Sequence, residues 1–510
     1  MTQGVLPFKY EEEKKSTDLT SLAGLPIYLD LALVSGLFDS LKRRLKVRTS
    51  GQGWSDTEIA TSLILLNLAG GSCVNDLEIL KADQGFNRVL RRVKNGWMSR
   101  KERRQEKRRL RKSKEEVCEV PSPSTVFRFL SCFHDKEEET NRRPGVAFIP
   151  APNEHLKALE EINGDLVSFV QRRSPEKEAT LDMDATLIET NKYEALYGYG
   201  GDKAYQPVNT YWAEQELVLR SEFRDGNVPA GYELLRVFKE SLELLPEGVK
   251  KVYLRSDSAG YQHDLLKYCA EGKSERFGVI EFAVGADVTP SFKASVAEVG
   301  DSDWQPLYRR LDDGRLVKTK QEWAEVCYVP NWVGCSKKSP DYRYLAIREP
   351  LWQMEFPGME QMEFPFPVIK FGDKGRYKVF GLVTNRTVPG GEVIWWSRKR
   401  CGKSEEAHSV MKEDLCGGKL PSGEFGENAA WWGLMVLAFN LNSAMKRLVL
   451  GANWLNKRLK AIRFCLINLA GRVINRSRKL IVRLLCGHPS NGVLFEARRK
   501  ILCMADASPG

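Results

Sequence analysis

No stretch of the 510-residue chain approaches eighteen uninterrupted apolar residues, so no membrane-spanning helix is expected. The opening MTQGVLPFKYEEEKK lacks the basic-then-apolar order of a secretory signal, which predicts a soluble, cytoplasmic protein with no membrane partner. The eleven cysteines are scattered from Cys73 to Cys503, with no CxxC pair and no Cys/His cluster at zinc spacing. Reduced thiols follow, not a disulfide framework. A phosphate loop is missing too: YGYGGDKAYQP at Tyr197–Pro207 is glycine-rich but lacks the Lys and Ser/Thr and precedes no helix, so it reads as a flexible turn. Acid vanishes from one long stretch. Between Asn428 and Phe495 there is no Asp or Glu, whereas Lys446, Arg447, Lys457, Arg458, Lys460, Arg463, Arg472, Arg476, Arg478, Lys479 and Arg483 are all present. A solvated face normally mixes signs, so this tail is expected to meet a polyanion.

What is present is ordinary globular composition, 42% apolar and 28% charged, which excludes a fully disordered or collagen-like chain. The length suggests two or three domains. Lys and Arg total 78 against 67 Asp and Glu, a net charge of +11 that again points to a polyanionic partner.

Residues 1–150 read as a helical N-terminal region, with apolar residues at spacings of three and four (Ile27, Leu31, Val34, Phe38, Leu41, Leu45; Ile59, Leu63, Leu66). Within it, 91–114 is a basic segment in which thirteen of twenty-four residues are Lys or Arg. Arg103, Arg104, Arg108 and Arg109 there are candidate DNA contacts, although a solvated helix or loop fits the composition equally well. PSPSTVFRFL follows, with Ser124 as the expected helix cap.

From Ala179 the period changes to that of an α/β layer. ATLDMDATLIET reads as a strand, VNTYWAEQELVLRSEFR as a hairpin turning near Ala213, Tyr232 to Leu245 as a helix, and KKVYLRSDS and FGVIEFAVGAD as further strands around a helix from Gln262 to Cys269. A mixed sheet results. Residues 301–400, rich in Trp, Tyr, Pro and Gly, read as an all-β insertion. Helical period returns at Ser404, expected to cap a helix that stops at Gly417, and a buried helix is expected from Asn428 to Leu450. Residues 451–510 read as a basic, helical C-terminal region.

Three acidic positions stand out. Asp182 and Asp184 interrupt an apolar strand and, being two apart, share one face. Asp257 ends another strand at the carboxyl edge, where α/β sheets place ligands. Glu405 lies on the helix after the insertion. Carboxylates gathered this way suit divalent cations, and a pair of such ions supports in-line phosphoryl displacement.

With these residues on the page, the chain resembles the bacterial insertion-sequence DDE transposases. DMDAT, a strand ending RSD, a long β-rich insertion and then SEEAHSVMKED follow that order, and the similarity extends over most of the chain. The resemblance implies a ribonuclease-H-like core over 175–300 and 401–450, interrupted by the insertion and flanked by helical N- and C-terminal regions. It also implies cut-and-paste transposition: metal-dependent cleavage at transposon ends, then strand transfer into target DNA. Two Mg²⁺ ions, with Mn²⁺ able to substitute, terminal inverted repeats as partner, a homodimer in the active complex and a nucleoid location come with it. Carried onto this sequence, the D-x-T context gives Asp184 with Thr186 as the first acid, with Asp182 able to take or share the role. Asp257 is the second acid and Glu405 the third, and Lys412, seven residues beyond Glu405, is a phosphate contact on the same helix face. The family's Tyr and Arg upstream of the Glu fall on Arg398 and Cys401, so Arg400, one position off, is the nearest candidate for a phosphate-binding Arg. Trp323, Trp332 and Trp352 are candidates for stacking on a flipped base, and His408 for a ligand. Two other readings stand beside this one, a non-catalytic DNA-binding protein and a stand-alone nuclease of the same fold.

Overall fold

The run ATLDMDATLIET forms β2 (Glu178–Ala185) and a short β3 (Ile188–Glu189), and β2 is buried along five consecutive residues. Burial without alternation marks a central strand covered on both faces. In the computed structural model, which describes residues 18–48, 53–97, 100–101, 103–104, 118–311, 313–330, 342–351, 364–371 and 375–506, β2 lies inside one of two compact units. That unit comprises residues 136–151 and 167–409; the other comprises 1–135, 152–166 and 410–510.

In the sheet unit, β3 pairs with β5 (Lys203–Tyr205), which also pairs with β4 (Leu196–Tyr197). The central strand β2 pairs antiparallel with β6 (Val208–Trp212), which turns through residues 213–216 into β7 (Leu217–Glu222). On its other side β2 runs parallel to β8 (Lys251–Ser256), and β8 runs parallel to β9 (Glu281–Ala286). The helices Leu234–Leu244 and His263–Ala270 make the two crossovers.

The stretch expected to be an all-β insertion is β-rich over most of its length, and its strands join the core sheet. Its strands β10 (Gln305–Arg310), β11 (Leu316–Val326), β12 (Arg343–Pro350) and β14 (Arg376–Thr384), with β13 (Val368–Lys370) beside β14, extend the same sheet. The order is β10-β11-β12-β14-β9-β8-β2-β6-β7, because β14 adds antiparallel to the open edge of β9. Strand period is local and cannot say which edge a strand will choose. The end of the stretch is not β at all. GGEVIWWSRKR starts the helix Gly390–Ser409, which runs through Ser404, so Ser404 is mid-helix and caps nothing. Its β-branched and aromatic residues mimic a strand, but Val393 and Ile394 are buried on the helix's inner side. A Cβ at Gly390 would lie 2.2 Å from the Trp323 ring, so the helix starts at a residue without one.

The second unit holds the helices Pro26–Val34, Leu37–Arg44, Asp56–Ala69, Gln84–Trp97 and Pro123–Leu130 around Phe425–Ala444. Ser55 and Glu58 close a capping box on Asp56–Ala69. Ser122, not Ser124, caps Pro123–Leu130, since Pro123 takes the first helical position and the Ser122 hydroxyl accepts from Thr125 N. The central helix is buried all round, as its apolar composition predicts, and its few polar groups are paired: Tyr28 donates to Asn442 at 2.8 Å and Asn440 to Asn163 at 2.6 Å. The C-terminal region is not purely helical. β15 (Gly471–Arg476) and β16 (Lys479–Leu484) form a hairpin beside β1 (Leu19–Thr20), before the helix Asn491–Asp506. The two-residue alternation of Arg472, Val473 and Ile474 was hidden by the density of charge. No single helix among the described residues is long and apolar enough to cross a membrane.

At the end of β7, Glu222 gathers three arginines: Arg224 Nε at 2.8 Å, Arg236 Nη1 at 2.8 Å and Arg220 Nη2 at 3.1 Å. Arg224 is fully buried, and the three guanidiniums hold the Glu222 carboxyl below the usual range against the opposing effect of burial. Glu222→Gln should therefore cost about 3–5 kcal/mol at neutral pH, by leaving Arg224 without its counter-ion. Because the folded pKa is depressed, Glu222's contribution is complete above the unfolded pKa and is lost as pH falls through the folded one. Urea unfolding of parent and variant should accordingly converge in acid; a constant gap across pH would refute the ionic origin.

Candidate active site

The parallel register of β2 and β8 sets Asp182 beside Arg255 and Met183 beside Ser256. One residue further, Asp184 and Asp257 leave the two strands side by side at the carboxyl edge. Asp257 caps the turn Ser258–Gly260, its Oδ1 accepting from Ala259 N at 3.0 Å. Burial pushes the carboxyl of Asp184 above the usual range, and Arg400 opposes this. Burial does the same to Asp257, the neighbouring Asp184 charge adds to it, and Arg400 pulls the other way. Two carboxylates that repel each other in a half-dry place are an unstable arrangement without a cation.

The helix Gly390–Ser409 supplies the remaining partners. Arg400 Nη1 donates to Asp184 Oδ2 at 2.8 Å, Ser404 Oγ donates to the same oxygen at 3.1 Å, and His408 Nδ1 lies 3.9 Å from it. Residues four apart form one stripe, so this is one face of the helix. The stripe continues into β6, where His408 Nε2 meets Asn209 Nδ2 at 3.1 Å and the Ser221 hydroxyl donates to Asn209 Oδ1 at 2.6 Å.

Glu405 is exposed, about 100° around the helix from Ser404. On the opposite flank, Lys403 pairs with Glu216 at 2.6 Å. Glu216 belongs to the β6–β7 turn, which lies at the amino end of β2, since Trp212 pairs with Leu181 and Ala213 N donates to Thr180 O. Lys403 and Glu405 therefore lie on opposite flanks of the Arg400–Ser404–His408 stripe.

Asp182 has a different place from its neighbour. Both its oxygens accept from Arg255, at 2.6 and 2.8 Å, and the pair is buried, with Arg255 Nη1 also donating to Trp396 O at 2.8 Å. It is a buried ion pair, each of its carboxylate oxygens engaged by Arg255. Arg400, expected as a phosphate contact, lies against Asp184, while Arg398 donates to Gln321 at 2.6 Å and Cys401 is exposed. Lys412 falls in the π-turn Val410–Asp414, where α-helical phase counting from Glu405 no longer holds. Arg458 is committed to Asp414, at 2.6 and 3.2 Å, whereas Lys457 is exposed with its ammonium 4.6 Å from the Trp454 ring. Arg103 and Arg104 are exposed. Arg108 and Arg109 lie outside the described residues, as do Trp332 and Trp352. Trp323 is buried in a core with Leu345, Ile347 and Val393. Ser404, Asn209 and Arg255 had no motif to mark them; only the strand register and the helix phase reveal them.

The family model described as transposase DDE domain group 1 covers residues 11–505. The chain belongs to that family of transposases. A cryo-EM structure of the piggyBac transposase synaptic complex with hairpin DNA is similar over 93% of this chain and 80% of that one, at 10% identity and a TM-score of 0.41. No curated protein matches the chain.

The two strand aspartates of opposite character should separate in a stability measurement. Asp182→Asn strands the buried Arg255 and should cost about 3–5 kcal/mol. Asp257 has a raised folded pKa, so its charged form is disfavoured by folding at neutral pH. Asp257→Asn should accordingly leave the melting temperature unchanged or raise it in chelator. Equal destabilisation by both changes would contradict the division of roles.

Proposed function

We propose that the chain is a cut-and-paste DNA transposase with a ribonuclease-H-like core, in which Asp184, Asp257 and Glu405 are the catalytic acids. The observation that carries this reading is the adjacency of Asp184 and Asp257 at one sheet edge, with Arg400 and Ser404 of the following helix on Asp184. The sheet order supports the fold: three antiparallel strands, β7, β6 and β2, followed by two parallel ones, β8 and β9.

DDE transposases generally use divalent metal ions, and the donor set fits them. The three acids offer only oxygens, which suits hard cations such as Mg²⁺ or Mn²⁺, and the mutual repulsion of the two strand carboxyls is relieved by positive charge. When bound, two such ions supply activation of the attacking oxygen and stabilisation of the leaving oxygen. The chain's own residues do the rest. Asp184 and Asp257 are rigid, set by strand register, while Arg400 and Ser404 hold the Asp184 carboxylate in one orientation. The Arg400 N–H groups not used on Asp184 are cationic donors at the edge where a DNA phosphate would enter. Lys412, Arg103, Arg104 and Lys457 contribute positive charge toward double-stranded DNA, terminal repeats first and target second. Cutting both ends together calls for two copies.

Short inverted repeats flanking the gene would supply the labelled substrate. The parent should cleave it in Mg²⁺ and join the cut end to a target plasmid. Asp257→Ala should lower cleavage at least about 1,000-fold, as removal of a catalytic group commonly does, while DNA affinity changes little. A parent that binds the ends without cutting them would instead support a non-catalytic DNA-binding protein, and nicks with no joined product would support a stand-alone nuclease.

A further inference from the structure

The C-terminal hairpin is a cationic surface that the strand-edge site does not use. Across β15 and β16, Arg472 stands opposite Arg483, Ile474 opposite Ile481 and Arg476 opposite Lys479. Because side chains alternate, these three pairs share one face, while Val473 and Val482 take the other, where Val473 is buried. The outer face is thus two rows of cations with an apolar row between them, and Arg472, Arg476, Lys479, Ile481 and Arg483 are exposed.

Like charges directly opposite each other weaken a β-ladder, and this hairpin carries two such pairs. Among the described residues no acid relieves them. There is no Asp or Glu from 428 to 495, and none of the four cations pairs with an acid among the described residues. The turn adds to the cost: Ser477 and Arg478 both adopt left-handed backbone, at φ 51° and 62°, in a two-residue connection where Asn-Gly is the usual choice. Arg478 is exposed at its tip. A face of like charges that finds no acid among the described residues is explained by an anionic partner.

We infer that this face contacts the phosphate backbone of double-stranded DNA. The cationic rows are four residues apart along each strand, about 13 Å. This matches about four steps along one DNA strand at 3.4 Å per step, and a two-stranded ribbon is of a size that the major groove admits. Contacts made by charge alone carry no sequence information, so the surface serves the end and the target alike. The inference rests on the transposase reading and names where on the chain duplex is held.

Anisotropy of a labelled duplex of arbitrary sequence, titrated with the full chain across a salt series, tests it. Changing Arg472→Gln, Arg476→Gln, Lys479→Gln and Arg483→Gln together should weaken binding at least about 30-fold and reduce the slope of log K against log salt by about three to four. The melting temperature should equal or exceed the parent's, since two repelling pairs are removed; a lower one would overturn the claim that the face is kept at a cost. A second set, Arg472→Lys, Arg476→Lys and Arg483→Lys, keeps the charge and should bind within about threefold of the parent; loss as severe as in the glutamine set would overturn phosphate contact as the basis. Unchanged affinity and slope in the glutamine set, with a parent that binds well, overturns the hairpin assignment alone. A parent that binds anionic vesicles but no duplex at any salt overturns both this assignment and the transposase reading.

Discussion

The parallel register between β2 and β8 is the constraint on which the site depends. It sets Asp182 beside Arg255 and hence Asp184 beside Asp257. A one-residue slip would carry every side chain of one strand to the other face and separate the two acids. The buried pair Asp182–Arg255 makes such a slip costly, because a displaced Arg255 would be a charge without a partner in a dry interior. An ion pair of this kind adds little net stability, yet it specifies one alignment out of several, and alignment is what two adjacent carboxylates require.

The same strand therefore carries two aspartates under opposite conditions. Asp182 is fully buried and fully paired. Asp184 is less deeply buried, shares its surroundings with Asp257, and meets Arg400 through a single guanidinium nitrogen. Like charges held together raise each other's cost of ionisation, and groups perturbed in this way cluster at functional sites. The protein's own cation, Arg400, offsets part of that cost while leaving the other carboxylate oxygens to accept further partners.

How much of this was legible in the sequence follows from which interactions are local. Asp184 and Asp257 could be picked out because an acid inside or ending an apolar strand is visible within a few residues. Asp182 looked equivalent to Asp184, and only its partner on a strand seventy-three residues away distinguishes them. The helix Gly390–Ser409 was hidden because Val393, Ile394, Trp395 and Trp396 suit a strand as well as a buried helix face, and what decided between them was the sheet surface that this segment covers. Ser404 and His408 share a stripe with Arg400, but a stripe counts only once the start of the helix is known. The tail hairpin was lost for a simpler reason: charge dominated the pattern, and alternation among cations was read as mere density.

Glu405, the third acid of the proposed site, would be placed by contacts that it does not make. The rotation of its helix is held by Lys403 on Glu216, by Ser404 on Asp184 and by His408 on Asn209, three contacts spread over less than two turns. The helix cannot roll without breaking them. Glu405 meanwhile stays exposed, whereas Asp184 and Asp257 are half-buried. In the proposed site, two acids come from a rigid sheet edge and the third from an exposed position on a clamped helix.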